Sequence, residues 1–246
     1  QGVLVEHLKK LKQRARLIYT TPSHQFPLGV QMSLPRRLAL LRWARDVRAW
    51  IVEDDYDSEF RYGARAAPSL HGLDPDGRVI YVGSFSKTLF PALRLGYLIV
   101  PRDLHASIVN ARRASDLHPP GLLQEVVAEM MLEGHFERHL RRMNTHHRER
   151  LEALDDSMRR YCNGALTLRP VTTGLHAIAD LSEANAEAVF GEALARGIEA
   201  MPLSSYYAGR RRAPANALVL GFGGVAAASA GIAKSVAPGV YFASKS

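Results

Sequence analysis

The sequence is poor in cysteine and has no long apolar run, and each absence excludes classes of protein. Cys162 is the single cysteine, so the chain can form neither an intrachain disulfide nor a cysteine-based metal site, which agrees with a reducing compartment. No window approaches the roughly eighteen uncharged apolar residues of a membrane span. The amino end, residues 1–17, is basic and amphipathic and lacks the apolar stretch of a signal peptide. These features predict a cytoplasmic protein with no membrane partner.

Internal repeats and low-complexity tracts are also missing, which indicates a globular chain. Its 246 residues, 47% of them hydrophobic, suffice for one large domain or two smaller ones. The net charge of +8 suggests nucleic acid as a partner, but many of the arginines lie in residues 138–160, where acids and bases alternate at helical spacing. That pattern is typical of a solvated helix face, and no motif of a DNA-reading module is present. The basic charge can still help a neighbouring domain near DNA.

Short apolar runs alternate with longer helical patterns, which predicts βαβ units and a mostly parallel sheet. A helix is expected from Ser33, with a proline near its start. The last two predicted strands are apolar enough to be buried on both faces. The predicted strands are residues 16–20, 50–55, 79–83 and 94–100.

The character of the sequence changes after about Pro101. Two helical patterns come first, and the arginine-rich stretch to about Arg160 predicts one long helix. Shorter strands and helices follow, which indicates a smaller α+β domain. We therefore expect part of a large α/β domain over residues 1–115, connecting helices over 116–160 and a small domain over 161–246.

Two segments carry most of the chemistry, EDDYDSEFRY (53–62) and GSFSKTLFPALRLGY (83–97), and each begins where an apolar strand ends. In a parallel sheet both would lie at the carboxyl edge, where loops form ligand crevices. A pyridine aldehyde cofactor needs an amine for an imine, an anion for its ring nitrogen and a donor for its phenolic oxygen. Lys87, Asp54 and Tyr56 offer these groups in that order.

The same cofactor carries a phosphate, which needs cations and small hydrogen-bond donors. Ser84, Ser86 and the backbone amides beside them can donate hydrogen bonds. Arg94 can add a bidentate, charge-assisted contact.

Four segments in this order resemble the effector domain of MocR-type regulators of the GntR superfamily, a domain similar to fold-type I aminotransferases. They are TPSHQFPLG (21–29), EDDYDSEFRY (53–62), SFSKTLFPALRLGY (84–97) and PLSSYY (202–207). The resemblance implies pyridoxal 5′-phosphate held as a Schiff base on Lys87, with Asp54 on the ring nitrogen, Tyr56 on the phenolic oxygen, and Ser84 with Arg94 on the phosphate. It also implies an amino compound as effector, a homodimer, and DNA binding through a winged helix-turn-helix domain ahead of this segment.

One site segment departs from the related aminotransferases, which place an Asn-Pro-x-Gly turn after the first strand. Phe26 stands just before Pro27 in this chain, where those enzymes have the asparagine. A polar contact to the phenolic oxygen would then come from His24 or Gln25; a purely structural turn is the alternative.

Two further departures leave alternatives to the regulator interpretation open. Related enzymes hold the substrate carboxylate with an arginine near the last small-domain strand, where this chain has Asn216 and Ala217, and the nearby 210–212 arginines are expected to form a solvated loop. The sequence also opens close to its first strand, which predicts a chain truncated at its amino end with an incomplete cofactor site. An ordinary aminotransferase and a scaffold without cofactor are the two rival hypotheses.

Overall fold

The computed structural model describes residues 2–10, 15–63, 67–118, 120–207 and 216–224. These residues form two compact units. The first unit contains the described residues up to Leu140, except Pro27–Gly29 and Phe60–Gly63, which belong to the second unit together with the described residues from Arg141 onward. The division into residues 1–115, 116–160 and 161–246, expected from the sequence, stays a prediction.

A four-stranded sheet forms the centre of the first unit. Its strands are β1 (Leu17–Thr20), β2 (Trp50–Asp55), β3 (Val79–Ser84) and β4 (Gly96–Ile99), in the order β1-β2-β3-β4. The first three strands are parallel and β4 runs antiparallel to β3. The predicted mostly parallel sheet of an α/β fold is therefore confirmed.

Helices of the first unit pack apolar side chains against this sheet. In α2, Leu40 and Ala44 are fully buried, and they belong to one core cluster with Ile51 of β2 and Val79 of β3. The helix α2 follows Ser33, has a proline in its first turn and ends at Arg48 in the left-handed conformation. The helices are α1 (Val5–Leu8), α2 (Leu34–Val47), α3 (Leu70–Leu73), α4 (Arg102–Asp116) and α5 (Gly121–Leu132).

The strand β4 does not have the burial that its sequence predicts. All four of its residues are exposed, including Leu98 at 51% and Ile99 at 43%. β4 is the last strand in the order and has a single hydrogen-bonded neighbour in the described sheet. Its position at the edge, and not its apolar composition, accounts for its exposure.

The long helix predicted to reach Arg160 is α6 (His135–Tyr161). The division between the two units falls within it, after Leu140. Although α6 has 27 residues, neither it nor any other helix in the described ranges is long and apolar enough to cross a lipid bilayer.

A second, antiparallel sheet forms the other unit, as expected of a small α+β domain. Its strands have the order β5-β6-β8-β7. Leu154 and Met158 of α6 share a core cluster with Ala179 of β6 and Leu218 of β8. The elements are β5 (Leu166–Leu168), β6 (His176–Leu181), α7 (Ala186–Ala195), β7 (Met201–Pro202) and β8 (Ala217–Gly221).

Candidate cofactor site at the edge of the parallel sheet

Three loops of the first unit leave the parallel sheet at the same edge. The register pairs Thr20 with Glu53 and Asp55 with Gly83, so β1, β2 and β3 end side by side. The chemistry-bearing segments follow these ends directly, at the edge where open α/β sheets bind ligands. The fold therefore brings together segments that lie far apart in sequence.

Asp54 is the acid of β2 whose carboxylate stays available. It is half-buried, and its neighbours Glu53 and Asp55 are buried on the opposite face, as the alternation of a strand requires. The Tyr19 hydroxyl donates a hydrogen bond to Asp54 Oδ2. Among the described residues no other group donates to Asp54, which leaves Oδ1 for a ligand.

Glu53, on the opposite face, belongs to the framework of the fold. It is fully buried, and its two oxygens accept the backbone N–H groups of Leu70 at 2.9 Å and His71 at 2.8 Å. Arg37 Nη1 lies 3.6 Å from Glu53 Oε1. Burial raises the pKa of Glu53, and the two amide hydrogen bonds and the Arg37 charge oppose that rise. Glu53 thus joins β2, α2 and α3 and is not exposed to ligand.

Asp55 shares that buried face and is only 8% exposed. Its Oδ2 accepts hydrogen bonds from Ser58 Oγ and Tyr81 Oη, both at 2.8 Å. The Ser58 contact is local, between residues three positions apart, and burial keeps the carboxylate away from solvent. Burial, followed by the charge and hydrogen bond of Asp55, raises the pKa of Tyr81, so this tyrosine remains a donor.

Tyr56 and His24 connect two of the edge loops. The Tyr56 hydroxyl donates to the His24 backbone carbonyl at 3.0 Å. The His24 side chain is buried, with Nδ1 2.8 Å from Asp57 Oδ2. Burial, and then the charges of Asp57 and Asp54, raise the pKa of Tyr56, so its hydroxyl stays protonated. The structure thus places a neutral phenol beside the loop that was expected to contact the phenolic oxygen.

Gln25, the other candidate in that loop, is half-buried, and its backbone N–H donates to the Val30 carbonyl at 3.0 Å. This pair closes the turn that contains Phe26 and Pro27. The roles expected for His24 and Gln25 toward the cofactor stay predictions.

Lys87 lies in the turn that follows β3, with an exposed side chain. It has no hydrogen bond or ion pair to any other described residue. Its neighbours hold the turn in place: Phe85 is 9% exposed and donates its N–H to Leu95, and the 1% exposed Thr88 accepts His139 Nε2 at 2.9 Å through its carbonyl. The turn after β3 is therefore held in place by its neighbours, and it presents the Lys87 amine to solvent.

The expected phosphate ligands lie in the same segment. Ser84 Oγ accepts the Ser86 N–H at 3.1 Å. Arg94 is exposed and has a φ of 50°, in the left-handed region that residues other than glycine seldom adopt. It directly follows the short 3-10 helix Pro91–Leu93. Arg48 has the same conformation at the end of α2, so this backbone conformation belongs to a helix end, and the exposed guanidinium is the feature that could serve a ligand.

Sequence reasoning missed Tyr19 and Arg37. Tyr19 sits in a short strand where an aromatic residue indicates only β-structure, and Arg37 sits in a helix with several other arginines. Arg37 Nε donates to the Met32 carbonyl and Nη2 to the Pro22 carbonyl, so this side chain binds both ends of the 21–32 loop. Only the alternation of β2, taken together with the register of β1, could have pointed to Tyr19.

In the second unit, Asn216 directly precedes β8, near the place where an aminotransferase was expected to have a carboxylate-binding arginine, and its role is structural. Its Oδ1 accepts the Ala186 N–H at 3.0 Å and its Nδ2 donates to the Ala184 carbonyl at 2.6 Å. Asn216 thus helps to cap α7. The 210–212 arginines lie outside the described residues.

Comparisons with known proteins agree with this geometry. The family model "Aminotransferase class I and II" matches residues 2–216. Over 226 residues the chain is 37% identical to the uncharacterized HTH-type transcriptional regulator YhdI of Bacillus subtilis (strain 168), with 92% of this chain and 47% of that protein covered. Over 211 residues it is 39% identical to the probable rhizopine catabolism regulatory protein MocR of Rhizobium meliloti, with 85% and 42% covered.

The chain thus spans about half the length of these regulators. LysN, the alpha-aminoadipate aminotransferase of Thermus thermophilus solved with N-(5'-phosphopyridoxyl)-L-leucine, has a TM-score of 0.80 and 30% identity over 92% of this chain and 58% of its own. The predicted resemblance to MocR-type regulators and to fold-type I aminotransferases is confirmed. The chain belongs to the aminotransferase class I and II family.

Proposed function

We propose that this chain is the effector-sensing part of a MocR-type transcription regulator, which binds pyridoxal 5′-phosphate covalently through Lys87. The family and its solved relatives indicate this cofactor. One observation carries the proposal. At the carboxyl edge of the parallel sheet, Asp54 has one carboxylate oxygen to which no described residue donates, and the turn after the adjacent strand presents Lys87, whose amine has no partner in the described part of the chain.

The donor set of the site fits the cofactor group by group. Asp54 would hold the ring nitrogen in its protonated form. Tyr56 would donate to the phenolic oxygen after its hydroxyl turns from the His24 carbonyl, to which it donates in this structure. Ser84, Ser86 and Arg94 would hold the phosphate. When bound, the protonated ring supplies an electron sink for chemistry at an attached amino compound.

Lys87 would hold the cofactor covalently by condensing its amine with the aldehyde, with release of one water molecule. A primary amine of the effector would exchange with the Lys87 amine one for one, and Lys87 would then be released. A difference in contacts between the two states can shift a conformational equilibrium. In a whole regulator, such a shift would change how a homodimer positions its DNA-binding domains.

Reductive trapping tests the covalent link. The protein as its gene encodes it is loaded with pyridoxal phosphate, reduced with borohydride, digested and analysed by mass spectrometry. We expect the cofactor on the peptide spanning residues 84–94, and its loss in Lys87→Ala. Lys9→Ala, at an exposed lysine of the same unit, is the matched control and should leave the labelling unchanged. Absence of label on the wild-type peptide would support a scaffold that binds no cofactor.

An aminotransferase is the second candidate, favoured by the likeness to LysN. In that case Lys87 would also move the proton between the α-carbon of the substrate and the cofactor. Residues 216–221, at the last small-domain strand, contain no arginine, and Asn216 caps a helix, which argues against the enzyme. Sustained conversion of an amino acid with a keto acid, followed by product analysis, would favour the enzyme; binding of amino compounds without turnover would favour the sensor.

A further inference from the structure

We infer that Tyr19 is a positioning residue for Asp54: its hydroxyl holds one oxygen of the carboxylate and thereby directs the other oxygen toward the cofactor ring nitrogen. This inference deepens the proposed function and rests on it. The hydrogen bond between the two side chains is a feature of the first unit alone.

The strand register explains why these two residues meet. Tyr19 pairs with Val52, and Asp54 is the next residue of β2 on the same face, because side chains two positions apart in a strand share a face. The diagonal separation across neighbouring strands is within reach of a long aromatic side chain. Any change of register by one residue would turn Tyr19 to the opposite face.

The chemistry of the pair leaves one oxygen for a ligand. An ionised carboxylate only accepts hydrogen bonds, and its two oxygens can be held by different donors. Tyr19 occupies Oδ2, and no other described residue donates to Asp54. A single charge-assisted hydrogen bond restricts rotation of the carboxylate, so that Oδ1 has a defined direction.

Tyr19 is suited to be a permanent donor. Partial burial, and then the hydrogen bond and charge of Asp54, raise the pKa of Tyr19 to about 12. The phenol therefore keeps its proton at neutral pH. Packing does not account for the residue, because 60% of it is exposed.

The acids on the opposite face support this assignment by contrast. Both oxygens of Glu53 are occupied by backbone amides, and Asp55 is buried with two hydroxyl donors on one oxygen. Asp54 is the acid of β2 with an accessible carboxylate, and its one donor among the described residues is a side chain from the neighbouring strand.

The first experiment needs no cofactor. The protein is labelled with tyrosine carrying ¹³C at Cζ, and the Tyr19 signal is followed as the pH rises. We expect a midpoint near 12 in the wild type, and in Asp54→Asn a midpoint closer to the ordinary value of 10.0, because the negative charge is gone. Equal midpoints in the two proteins would overturn the inference.

The second experiment uses the cofactor-loaded protein and compares Tyr19→Phe with Tyr161→Phe. Both changes remove one hydroxyl and keep the ring, and Tyr161 lies in the other unit with no hydrogen bond from its side chain to a described residue. The loss of one hydrogen bond predicts roughly 3- to 10-fold weaker cofactor binding in Tyr19→Phe. The nuclear magnetic resonance signal of a ¹⁵N-labelled cofactor ring should also shift, and neither property should change in Tyr161→Phe.

Borohydride trapping separates the possible failures. If Lys87 is trapped in the wild type but Tyr19→Phe keeps the wild-type affinity and ring-nitrogen signal, the proposed function stands and the inference about Tyr19 is wrong. If Lys87 is not trapped in the wild type, the proposed function fails, and the assignment of Tyr19 to the cofactor site fails with it.

Discussion

The two faces of β2 put acids of similar chemistry to different uses. On one face Glu53 and Asp55 are buried and hydrogen-bonded to neighbouring elements. On the other face Asp54 is half-buried and receives one hydrogen bond, from Tyr19. Burial and the number of donors therefore separate acids that maintain the fold from an acid that can serve a ligand. Mutations on the two faces should affect different properties.

The largest expected effect is on the buried face. Arg37→Met leaves Glu53 buried without its counter-charge and should lower the free energy of unfolding by about 3–5 kcal/mol. Urea unfolding followed by tryptophan fluorescence measures this in the first unit, because both tryptophans, Trp43 and Trp50, lie there. Arg42→Met, at an exposed arginine of the same helix, should change stability by no more than about 0.5 kcal/mol. If Arg37→Met lowered the free energy of unfolding by less than about 1 kcal/mol, the Arg37–Glu53 pair would not stabilise the fold as described.

Asp54→Ala tests the other face of β2 and should change cofactor binding more than stability. Loss of a charged hydrogen-bond acceptor predicts about 10- to 100-fold weaker pyridoxal phosphate binding, with stability changed by less than about 1 kcal/mol. Asp46→Ala, at an exposed acid whose partner is Arg45, serves as the control and should leave affinity unchanged. Fluorescence titration with the cofactor measures the affinity. If Asp54→Ala instead lowers stability strongly and leaves the cofactor affinity of the folded protein unchanged, then Asp54 serves the fold and not a ligand.

His147, a buried histidine with no acidic partner in the described part of the second unit, extends the comparison to that unit. Burial, and then the charges of Arg150 and His146, lower the pKa of His147 from 6.5 to about 4. Its ring packs edge-on against Phe60, 4.7 Å between centroids. Between these two pH values the unfolded chain binds a proton that the folded chain does not, so stability falls as the pH drops from 6.5 toward 4.

The loss should amount to roughly 1–3 kcal/mol at the acid end. Hydrogen exchange of the β6 amides as a function of pH would measure it in the second unit. His147→Gln should flatten the pH dependence, and His105→Gln, at an exposed histidine of the first unit, should not. An equally steep dependence in His147→Gln would assign the effect to other groups.

The smallest expected effect concerns the strained residue of the site. Arg94→Gly relieves a left-handed backbone and should leave stability unchanged or raise it by up to about 1 kcal/mol, while the affinity for the cofactor phosphate falls several-fold. Arg94→Ala removes the same guanidinium but keeps the strain, so it should show the same affinity and a lower stability than Arg94→Gly. Thermal unfolding and cofactor titration of the two variants separate the backbone from the side chain. Unchanged affinity in both variants would exclude Arg94 as a phosphate ligand.

The elements that the sequence predicted well share a strong local signal. The run WIVEDD and the β2 strand coincide, and the proline after Ser33 marks the start of α2. The long helix α6 follows from its charge pattern. By contrast, the exposure of β4 could not be predicted, because an apolar run has the same composition at the edge of a sheet and at its centre.

Local sequence was sufficient to identify the strands, the parallel arrangement and the segments around Asp54 and Lys87, because backbone preference and apolar periodicity act over a few residues. The partners of the site side chains depended on the folded chain. Tyr19 reaches Asp54 across 35 positions and His24 reaches Asp57 across 33. Strand register and loop closure create these pairs, and neither leaves a signal at the residues themselves, since hydrogen bonds between side chains require proximity in space and not in sequence.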